Sequence, residues 1–535
     1  MLTTFYEFNE SQFEKEAEIE TAGMMAPTIC NRCEDGIEEE GDPREELAER
    51  NTLLEHLRLK RYDLKRKINQ LHSPIVRKLP PDVTSTIFEF CLPDYQLSPY
   101  TKEDLSIPLS LGAICTYWRD IAWSTPSLWS SLVVCITREC DSHIVMAQEW
   151  LTRSGQLPLS IHIFSETDNT TLAALADIIN QCSFRWSNLD LYMPPRCYKH
   201  FHATDNHAPI LKSIRFLSSA KTRKLLNFQL TCPRLDRVSL SYFPIQGTNI
   251  QWDNLTHLTL HSVSSTDSFI ILRKTPRLVF CKVSGSCPRY RGPRIEALVL
   301  TSLRSLQLIT RAADSENFLN NLIAPQLEEF SLPNFYNPSM EVIASFLRRS
   351  TCSLRSFSMI FSISSPYSGG FINLVQSIPS LETLSIISIT DTDLEDTTPE
   401  DYDPRNILQL VAVILASQSN EGFLPNLKTL EYTGKLCLRS GNYGDLNSLP
   451  SANSAVHGPL HLLKLDLRPA TRIPKNMISY LSSLVERGVT VNVLSDSDDI
   501  LSNSEDAHQS SIDYCRCGKD SLCQDWINNL ESSLF

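Results

Sequence analysis

Glycine is scarce in this sequence: it occurs 17 times in 535 residues, well below its usual frequency of about 7%. Many nucleotide-binding enzymes use glycine-rich loops, in which backbone N–H groups approach a phosphate closely. The sequence also lacks a Walker-type or dinucleotide-binding fingerprint and the motifs G-x-S-x-G and H-E-x-x-H. We therefore predict a protein that is not an enzyme and that needs no cofactor.

Long hydrophobic runs are missing as well. The longest largely apolar stretch, residues 407–416, is interrupted by Gln409 and is far shorter than the ~20 residues that span a bilayer. Residues 1–10 have neither the basic start nor the apolar core of a signal peptide. These absences predict a soluble protein of the cytoplasm or nucleus that has no membrane partner.

Basic residues are outnumbered by acidic ones, and the formal net charge is -13. Acidic residues crowd segment 7–49, whereas segment 58–67 is locally basic. Because affinity for a polyanion comes largely from displaced counterions, an acidic chain is a poor nucleic-acid binder. We expect no nucleic-acid partner, and we interpret the short basic segment as the solvated face of a helix.

The 16 cysteines are dispersed, unlike the dense framework of a small disulfide-rich secreted domain. We interpret those in globular segments as reduced, mostly buried side chains: Cys91, Cys115, Cys135, Cys232, Cys281 and Cys352. Zinc is an alternative at three places, which are Cys197 with His200, His202 and His207, the pair Cys30 and Cys33, and Cys515 with Cys517, Cys523 and His508. None has the spacing of a closed four-ligand zinc motif, so surface side chains and free thiols are favoured and no metal site is predicted.

Two segments precede the first globular pattern. Residues 1–42 are acidic and aperiodic, which predicts a disordered tail. Residues 43–73 contain a heptad pattern that Arg50 and Arg61 interrupt. Its apolar members are Leu47, Leu54, Leu57, Leu64, Ile68 and Leu71. The pattern fits a short coiled-coil helix and, equally well, a single amphipathic helix docked on the next domain.

Residues 75–131 have the pattern of three short helices. Pro80-Pro81-Asp82 predicts the start of the first helix, with a proline in its first turn. Its apolar face comprises Val83, Ile87, Phe88 and Cys91. A second face comprises Leu111, Ile114, Cys115, Trp118, Ile121 and Ala122, and a third element carries Leu128 and Trp129. Such a small unit buries little area by itself, so we expect a partner or a neighbouring domain to cover it.

The pattern L-x-x-L-x-L, with other apolar residues allowed at its fixed positions, recurs through the rest of the chain. Eight copies start 20 to 27 residues apart, at Leu211, Leu235, Leu255, Leu278, Leu303, Leu327, Leu354 and Leu381. Further copies start at Trp186, Leu427 and Leu462. The spacing lies in the leucine-rich-repeat range of roughly 20–29 residues, in which each repeat is a short strand followed by a helix or turn. We predict an α/β stack of repeats with one continuous core.

The repeats are irregular. A proline precedes several copies, as at Pro233, Pro276, Pro379 and Pro425, where it can set the turn before a strand. The Asn or Cys that usually follows the third apolar position of a leucine-rich repeat is absent. Its place is taken by Phe243, Val263, Ser286 and Arg311. An acidic insertion, residues 391–403, precedes the copy at Leu427.

The helical segment resembles the F-box. The resemblance rests on the order and spacing of Leu79-Pro80, Ile87-Phe88, the motif C-x-x-W-R-x-I-A from Cys115, and Leu128-Trp129. Together with the leucine-rich helix and the repeats, residues 45–495 resemble the F-box proteins that are abundant in mushroom-forming fungi. The fold class is then a small three-helix F-box followed by an irregular leucine-rich-repeat (αβ) solenoid, with an N-terminal helix. The expected segments are a disordered tail at 1–42, the helix at 43–73, the F-box at 74–135, the solenoid at 136–495 and a disordered tail at 496–535.

The resemblance implies a function. An F-box binds the Skp-type adaptor of a ubiquitin ligase, and cullin through it, while the repeats bind a protein target. The adaptor-binding residues that the resemblance implies are Leu79, Pro80, Ile87, Phe88, Ile114, Cys115 and Trp118. Each of them could instead pack the helical core. Segment 94–106 is longer than the usual F-box turn, which leaves open an alternative function as an F-box scaffold outside ubiquitination.

Target-binding residues are expected between the fixed apolar positions, because alternate residues of a strand point to opposite faces. The polar residues at these positions carry both signs of charge. The preferred candidates are Arg237, Thr259, Gln307, Ser331 and Arg355. For each of them, an ordinary solvated strand residue remains the alternative.

Overall fold

The computed structural model describes residues 43–72, 79–93, 107–137, 139–218, 228–243, 248–285, 297–334, 337–362, 368–389, 424–434, 460–467, 481–482, 484–495 and 498–499. The two predicted disordered tails, the acidic insertion 391–403 and segment 94–106 lie outside these residues. The described chain forms two compact units. The first contains the described residues up to 218 together with 228–234 and 248–250, and the second contains 235–243 and the described residues from 251 onward.

The first unit begins with helices. They are α1 (Pro43–His72), α2 (Pro81–Phe90), α3 (Ile107–Ile114), α4 (Thr116–Ser124) and a 3₁₀ helix (Pro126–Trp129). The predicted second helix is thus two helices, because Cys115 between them has extended backbone with φ −159°. Its sulfur accepts a hydrogen bond from the backbone N–H of Trp118 over 3.4 Å, which caps the start of α4. A Cβ at Gly112 would overlap the ring of Trp123, so α3 and α4 can approach this closely only because position 112 is glycine.

An aromatic cluster holds these helices together. Phe88 on α2 is fully buried, and its ring centroid lies 4.9 Å from that of Trp118. Trp129 is also fully buried, and its indole N–H donates to the carbonyl of Ala122 over 2.7 Å. The ring of Trp129 lies 4.7 Å from that of Trp150 on the next helix, which joins the helical segment to the α/β layers that follow it.

The rest of the first unit alternates strands and helices. Its elements are β1 (Ser131–Ile136), α5 (Ser142–Arg153), β2 (Leu159–Ser165), α6 (Thr170–Gln181), β3 (Trp186–Met193), β4 (Ser213–Ser218), β5 (Phe228–Leu230) and β7 (Thr248–Ile250). Strands β1 to β4 pair in parallel and in chain order, and β5 pairs in parallel with β7. The sheet therefore starts inside the segment 74–135, before the first predicted copy of the repeat. Strand β2 escaped prediction because Pro158 stands at its first fixed position, whereas β1 fits the pattern as Trp129-x-x-Leu132-x-Val134 but lies in the segment that was assigned to the F-box.

The second unit is built on parallel strands. They are β6 (Arg237–Ser241), β8 (His257–His261), β9 (Phe280–Ser284), β11 (Ser305–Ile309), β13 (Glu329–Leu332), β14 (Ser356–Ser362), β15 (Thr383–Ile389), β16 (Thr429–Gly434), β17 (Leu462–Leu467) and β18 (Thr490–Ser495). A short pair, β10 (Leu298–Val299) with β12 (Leu322–Ile323), is separate, and β19 (Asp498–Asp499) pairs with β18 in antiparallel orientation. The helices are α7 (Ser265–Leu272), α8 (Ala312–Asn320), α9 (Met340–Ser350) and α10 (Ser368–Gln376). The predicted α/β class with a long parallel sheet is confirmed.

The core of the second unit is a set of apolar rows that run across the strands. In register, Val238 lies beside Leu258, Leu258 beside Cys281, and Cys281 beside Leu306. All of these side chains are buried, as are the corresponding residues of β13 to β16. Helices cover the rows from one side: the ring of Phe346 on α9 lies 5.7 Å from that of Phe330 on β13. Each strand thus depends on its neighbours for part of its core.

The last predicted copy of the repeat has the wrong register. The pattern assigned Leu462, Leu465 and Leu467 to the fixed positions, but Leu460 and Leu463 are buried with Leu465, whereas Leu462 is only partly buried. Leu463 lies beside Leu430, and Leu465 beside Tyr432. The error arose because residues 460–467 contain apolar residues at both spacings, and only pairing with β16 distinguishes them.

Left-handed residues follow three neighbouring strands of the sheet, one residue before the position where an Asn or Cys is usual in a regular repeat. Tyr242 has φ 52°, Ser262 φ 51° and Gly285 φ 79°. Each donates its N–H to the carbonyl at the end of the next strand, as in the 2.8 Å bond from Ser262 to Ser284. The residues after Tyr242 and Ser262, which are Phe243 and Val263, are buried. Apolar burial therefore takes the place of a polar side-chain ladder at these turns.

A prediction follows from the register of β8. Leu258→Asp should lower the stability of the second unit by more than the about 2–5 kcal/mol that removing a buried leucine side chain costs, because it also buries an unpaired carboxylate. Thermal unfolding and limited proteolysis measure the effect. The matched control is Thr259→Asp, which places the same charge on the next residue of β8 but on its opposite, partly exposed face. A Leu258→Asp protein as stable as the Thr259→Asp control would contradict the register.

Candidate functional sites: an exposed apolar helix face and a polar sheet face

Helix α2 presents apolar side chains to solvent. Val83, Ile87 and Phe90 are 40%, 44% and 86% exposed. Together with Pro80 they are spaced three to four residues apart and lie on one side of the helix. We call these four residues the α2 apolar face. The opposite side carries the buried residues Thr84 and Phe88. Exposed apolar patches are common at protein interaction sites, which makes this face a candidate.

Hydrogen bonds join α2 to the residues around the 3₁₀ helix and to Tyr117 on α4. The hydroxyl of Thr125 lies 3.0 Å from that of Ser85, and the hydroxyl of Ser127 donates to the carboxylate of Glu89. The hydroxyl of Tyr117 lies 3.5 Å from the carbonyl of Leu79, two residues before the start of α2. The α2 apolar face therefore belongs to a helix that is anchored at its start and along its length.

The predicted adaptor-binding residues comprise three exposed, three half-buried and one fully buried side chain. Pro80, Ile87 and Ile114 are exposed, and the exposure of Ile114 is 59%. Leu79, Cys115 and Trp118 are half-buried.

Phe88 needs a correction, because it is 0% exposed and packs against Trp118. It is a core residue and has no surface for a partner in this conformation. The sequence pattern placed Phe88 on the same face as Val83 and Ile87, yet these two residues are exposed and Phe88 is not. Phe90 was not predicted, although its position three residues after Ile87 would have been the signal.

The sheet of the second unit has a polar face opposite its core. One row of this face contains residues that lie side by side on successive strands. This central polar row is Ser239, Thr259, Lys282, Gln307, Ser331, Ser358, Ser385, Glu431 and Lys464. Neighbouring strands are about 4.8 Å apart, so these side chains form one continuous surface. Three predicted target-binding residues, Thr259, Gln307 and Ser331, lie in it.

Lys282 is a residue of the central polar row that sequence reasoning missed. It is half-buried between Thr259 and Gln307, and burial lowers the pKa of its ammonium group. Its position between the apolar residues Cys281 and Val283 was the available signal. Lys282 gives the row a cation that is partly withdrawn from water.

The remaining two predicted target-binding residues lie outside the central polar row. Arg237 starts β6 and is exposed, with its guanidinium 4.0 Å from the carboxylate of Asp236. Arg355 precedes β14, and its guanidinium lies 3.7 Å from the carboxylate of Glu382. Arg355 is therefore engaged within the molecule, which the sequence did not indicate.

Arg355 belongs to a series of charged residues at the strand starts. Arg304 pairs with Glu328 over 2.8 Å, and Glu382 pairs with both Arg355 and Lys428, the latter over 2.7 Å. Backbone hydrogen bonds of 2.8 Å join the same residues in order, from Arg304 to Lys428. The hydrogen bond from Lys428 lowers the pKa of the Glu382 carboxyl. We call these five residues the ion-pair series.

The Cys–His segment of the first unit is held by internal contacts. Cys197 is fully buried, and burial raises the pKa of its thiol to about 12. The Nε2 atom of His200 lies 3.3 Å from a carboxylate oxygen of Asp168, and Nδ1 of His202 lies 3.2 Å from the amide nitrogen of Asn180. Among the described residues, no group of three or more His, Cys, Asp or Glu side chains is placed to hold a metal ion.

Two other sequence interpretations concern cysteines and membrane spans. Cys232 and Cys281 are buried as expected, whereas Cys91 is exposed and Cys115, Cys135 and Cys352 are half-buried. The remaining zinc candidates, at Cys30 and Cys33 and near Cys515, lie outside the described residues. In the part of the chain that the structure describes, no helix is both long and apolar enough to cross a membrane.

Comparison with known proteins gives no family assignment. No protein-family model and no curated protein matches the chain. The geometry of the two surfaces therefore carries the functional argument.

A prediction follows from the ion-pair series. Glu382→Gln should reduce thermal stability slightly, since exposed ion pairs contribute little and are screened by salt. The pKa of Glu382 in the folded protein is lower than the ordinary 4.5, so its contribution is present above pH 4.5 and is lost as the pH falls through the lowered pKa. Melting temperatures of wild type and variant should therefore converge on acidification. Glu329→Gln, which removes a carboxylate outside the series, is the control, and a wild-type–variant difference that persists in acid would contradict the assignment.

Proposed function

We propose that this protein recruits a target protein to a Skp–cullin–F-box ubiquitin ligase. Residues 79–129 act as an F-box that binds the Skp-type adaptor, and cullin joins through the adaptor. The parallel strands act as a leucine-rich-repeat-like solenoid that binds the target. The observation that carries the proposal is the α2 apolar face: within the F-box-like motifs, the helix that bears Ile87-Phe88 buries Phe88 and exposes Ile87.

The division of the motifs supports binding of a partner. Phe88, Leu128 and Trp129 are buried and account for the folding of the helical segment. Ile87 and Ile114 do not contribute to that core, since about half of each side chain is in water. Covering an exposed apolar side chain of this size is favourable by up to about 1.5–3 kcal/mol. A few such side chains can dominate an interface, as hot-spot residues do.

The central polar row supports the target-binding part of the proposal. It combines hydroxyl, amide, ammonium and carboxylate groups on a rigid sheet, so it can make directional hydrogen bonds with a protein surface. Because the strands are fixed by their apolar rows, the backbone that carries these groups does not have to be ordered on binding. The row thus has the composition of a recognition surface.

Adaptor binding can be tested on the α2 apolar face. Ile87→Asp and Phe90→Asp should each lower co-purification of a Skp-type adaptor at least tenfold, because a carboxylate would have to be desolvated in an apolar interface. Quantitative pull-down with a purified adaptor measures this loss. The matched control is Val145→Asp, since Val145 is 55% exposed on α5 and is not part of the F-box-like motifs.

The same experiment separates the alternatives. Unchanged adaptor binding by Ile87→Asp and Phe90→Asp would refute the adaptor part of the proposal. Recovery of adaptor with cullin favours the ligase, whereas adaptor without cullin favours a scaffold function. Phe88→Ala is not a suitable probe, because loss of this buried ring should destabilise the fold by about 3–5 kcal/mol.

Target binding can be tested on the central polar row. Gln307→Arg combined with Ser331→Arg adds bulk and charge to two adjacent strands and should remove the specific target from proximity-labelling profiles recorded with the proteasome blocked. Adaptor co-purification should not change. Asn320→Arg, on the exposed surface of α8, is the control for added charge. If the double variant labels the same proteins as wild type, the target binds elsewhere.

A further inference from the structure

Helix α1 leaves its apolar side chains in water. Across this 30-residue helix, every leucine, isoleucine and tyrosine whose burial is described is exposed. Their exposed fractions range from 49% for Leu54 to 68% for Tyr62. The set is Leu47, Leu53, Leu54, Leu57, Leu59, Tyr62, Leu64 and Ile68. The heptad pattern allowed two interpretations. A helix docked on the next domain would bury its apolar side chains, whereas the described apolar side chains of α1 are exposed, which argues against docking.

The heptad positions define one seam along α1. Leu47, Leu54 and Ile68 occupy one position of the heptad, with Arg61 in the same register. Leu57 and Leu64 occupy the position three residues later, with Arg50 in their register. The seam repeats every seven residues, as in two-stranded coiled coils. At about 1.5 Å per residue the helix is ~45 Å long, enough for about four heptads.

The two seam arginines indicate the orientation of a partner helix. In a parallel pair in register, Arg50 would face Arg50 of the other copy, and Arg61 would face Arg61. The seam would then contain two pairs of like-charged arginines, with the two members of each pair close together. In an antiparallel pair centred near residue 59, Arg50 faces Ile68, Arg61 faces Leu57, and Leu54 faces Leu64. Each arginine stem can then lie along an apolar side chain while its guanidinium reaches water.

The charge distribution of α1 favours the same orientation. Residues 43–57 contain four Glu and two Arg, whereas residues 58–72 contain six Lys or Arg and one Asp. An antiparallel pair places the acidic half of each helix beside the basic half of the other. A parallel pair places the two basic halves side by side. Complementary charges suppress the wrong arrangement and fix the register.

We propose that α1 forms an antiparallel two-stranded coiled coil with α1 of a second copy of this chain. The dimer carries two F-box-like segments and two central polar rows, so one assembly can engage two sites on a target. Once one copy has bound the target, binding by the second copy is intramolecular and has a high effective concentration. The proposal concerns the oligomeric state and does not depend on the proposed ligase function.

The mass of the full-length protein in sedimentation experiments tests the dimer. We expect a concentration-dependent species at twice the 60.6 kDa of the chain. Leu57→Asp and Leu64→Asp should each reduce it to the monomer mass. Leu59→Asp is the matched control, because Leu59 is 63% exposed on α1 but lies outside the seam. The thermal unfolding of the strand-containing units should be the same in each variant as in wild type, since none of the described apolar side chains of α1 is buried against them.

A crosslinking experiment tests the orientation. Leu54→Cys and Leu64→Cys are introduced into separately tagged full-length copies, which are mixed and mildly oxidised, with wild type as the background for native thiols. In the antiparallel pair the mixed dimer crosslinks, whereas Leu54→Cys does not crosslink to itself, because the two copies of residue 54 are about 15 Å apart. Self-crosslinking of each variant would overturn the antiparallel arrangement. A monomer mass, or a dimer that survives Leu57→Asp and Leu64→Asp, would overturn the proposal.

Discussion

The stacking of apolar rows across parallel strands is the interaction on which the described α/β structure depends. A strand of five residues, such as β8, buries Leu258 and Leu260 only because β6 and β9 lie on either side of it. No strand can cover its own apolar side, so stability is a sum of contacts between neighbours. This explains why the turns tolerate irregular residues such as Tyr242 and Ser262. The rows, and not a polar ladder, hold the strands in register.

The candidate sites occupy surfaces that this core leaves free. Because strand residues alternate between faces, burial of Leu258 and Leu306 requires Thr259 and Gln307 to point away from the core. Helical periodicity has a similar effect on α2. The side of the helix that buries Phe88 and Thr84 leaves Ile87 and Phe90 exposed on another side. Core packing therefore orients both candidate binding surfaces. The rigidity of the core is what makes them suitable for recognition.

Some residues of the candidate sites could be predicted from the sequence. Ile87 and Ile114 were identified from motif order, and Thr259, Gln307 and Ser331 from their place between apolar positions. The differences between the predicted residues and the structure have physical causes. Helix α2 has apolar residues on both its buried and its exposed side, for example Phe88 and Val83. The hydrophobicity of the residues therefore cannot show which of them is buried. Arg355 binds Glu382, a residue 27 positions later, and only the pairing of β14 with β15 brings the two charges together.

By itself, the sequence determined the α/β class, the approximate positions of most strands and the heptad pattern of α1, because these depend on local periodicity and spacing. The tertiary structure decided which of two apolar spacings is buried in β17, where the sheet begins, and that Cys115 separates two helices. It also decided which apolar residues of α2 face water and that α1 buries none of its described apolar side chains. These features depend on contacts between distant segments. A one-dimensional pattern of hydrophobic residues shows which faces can be buried, and only packing selects the ones that are.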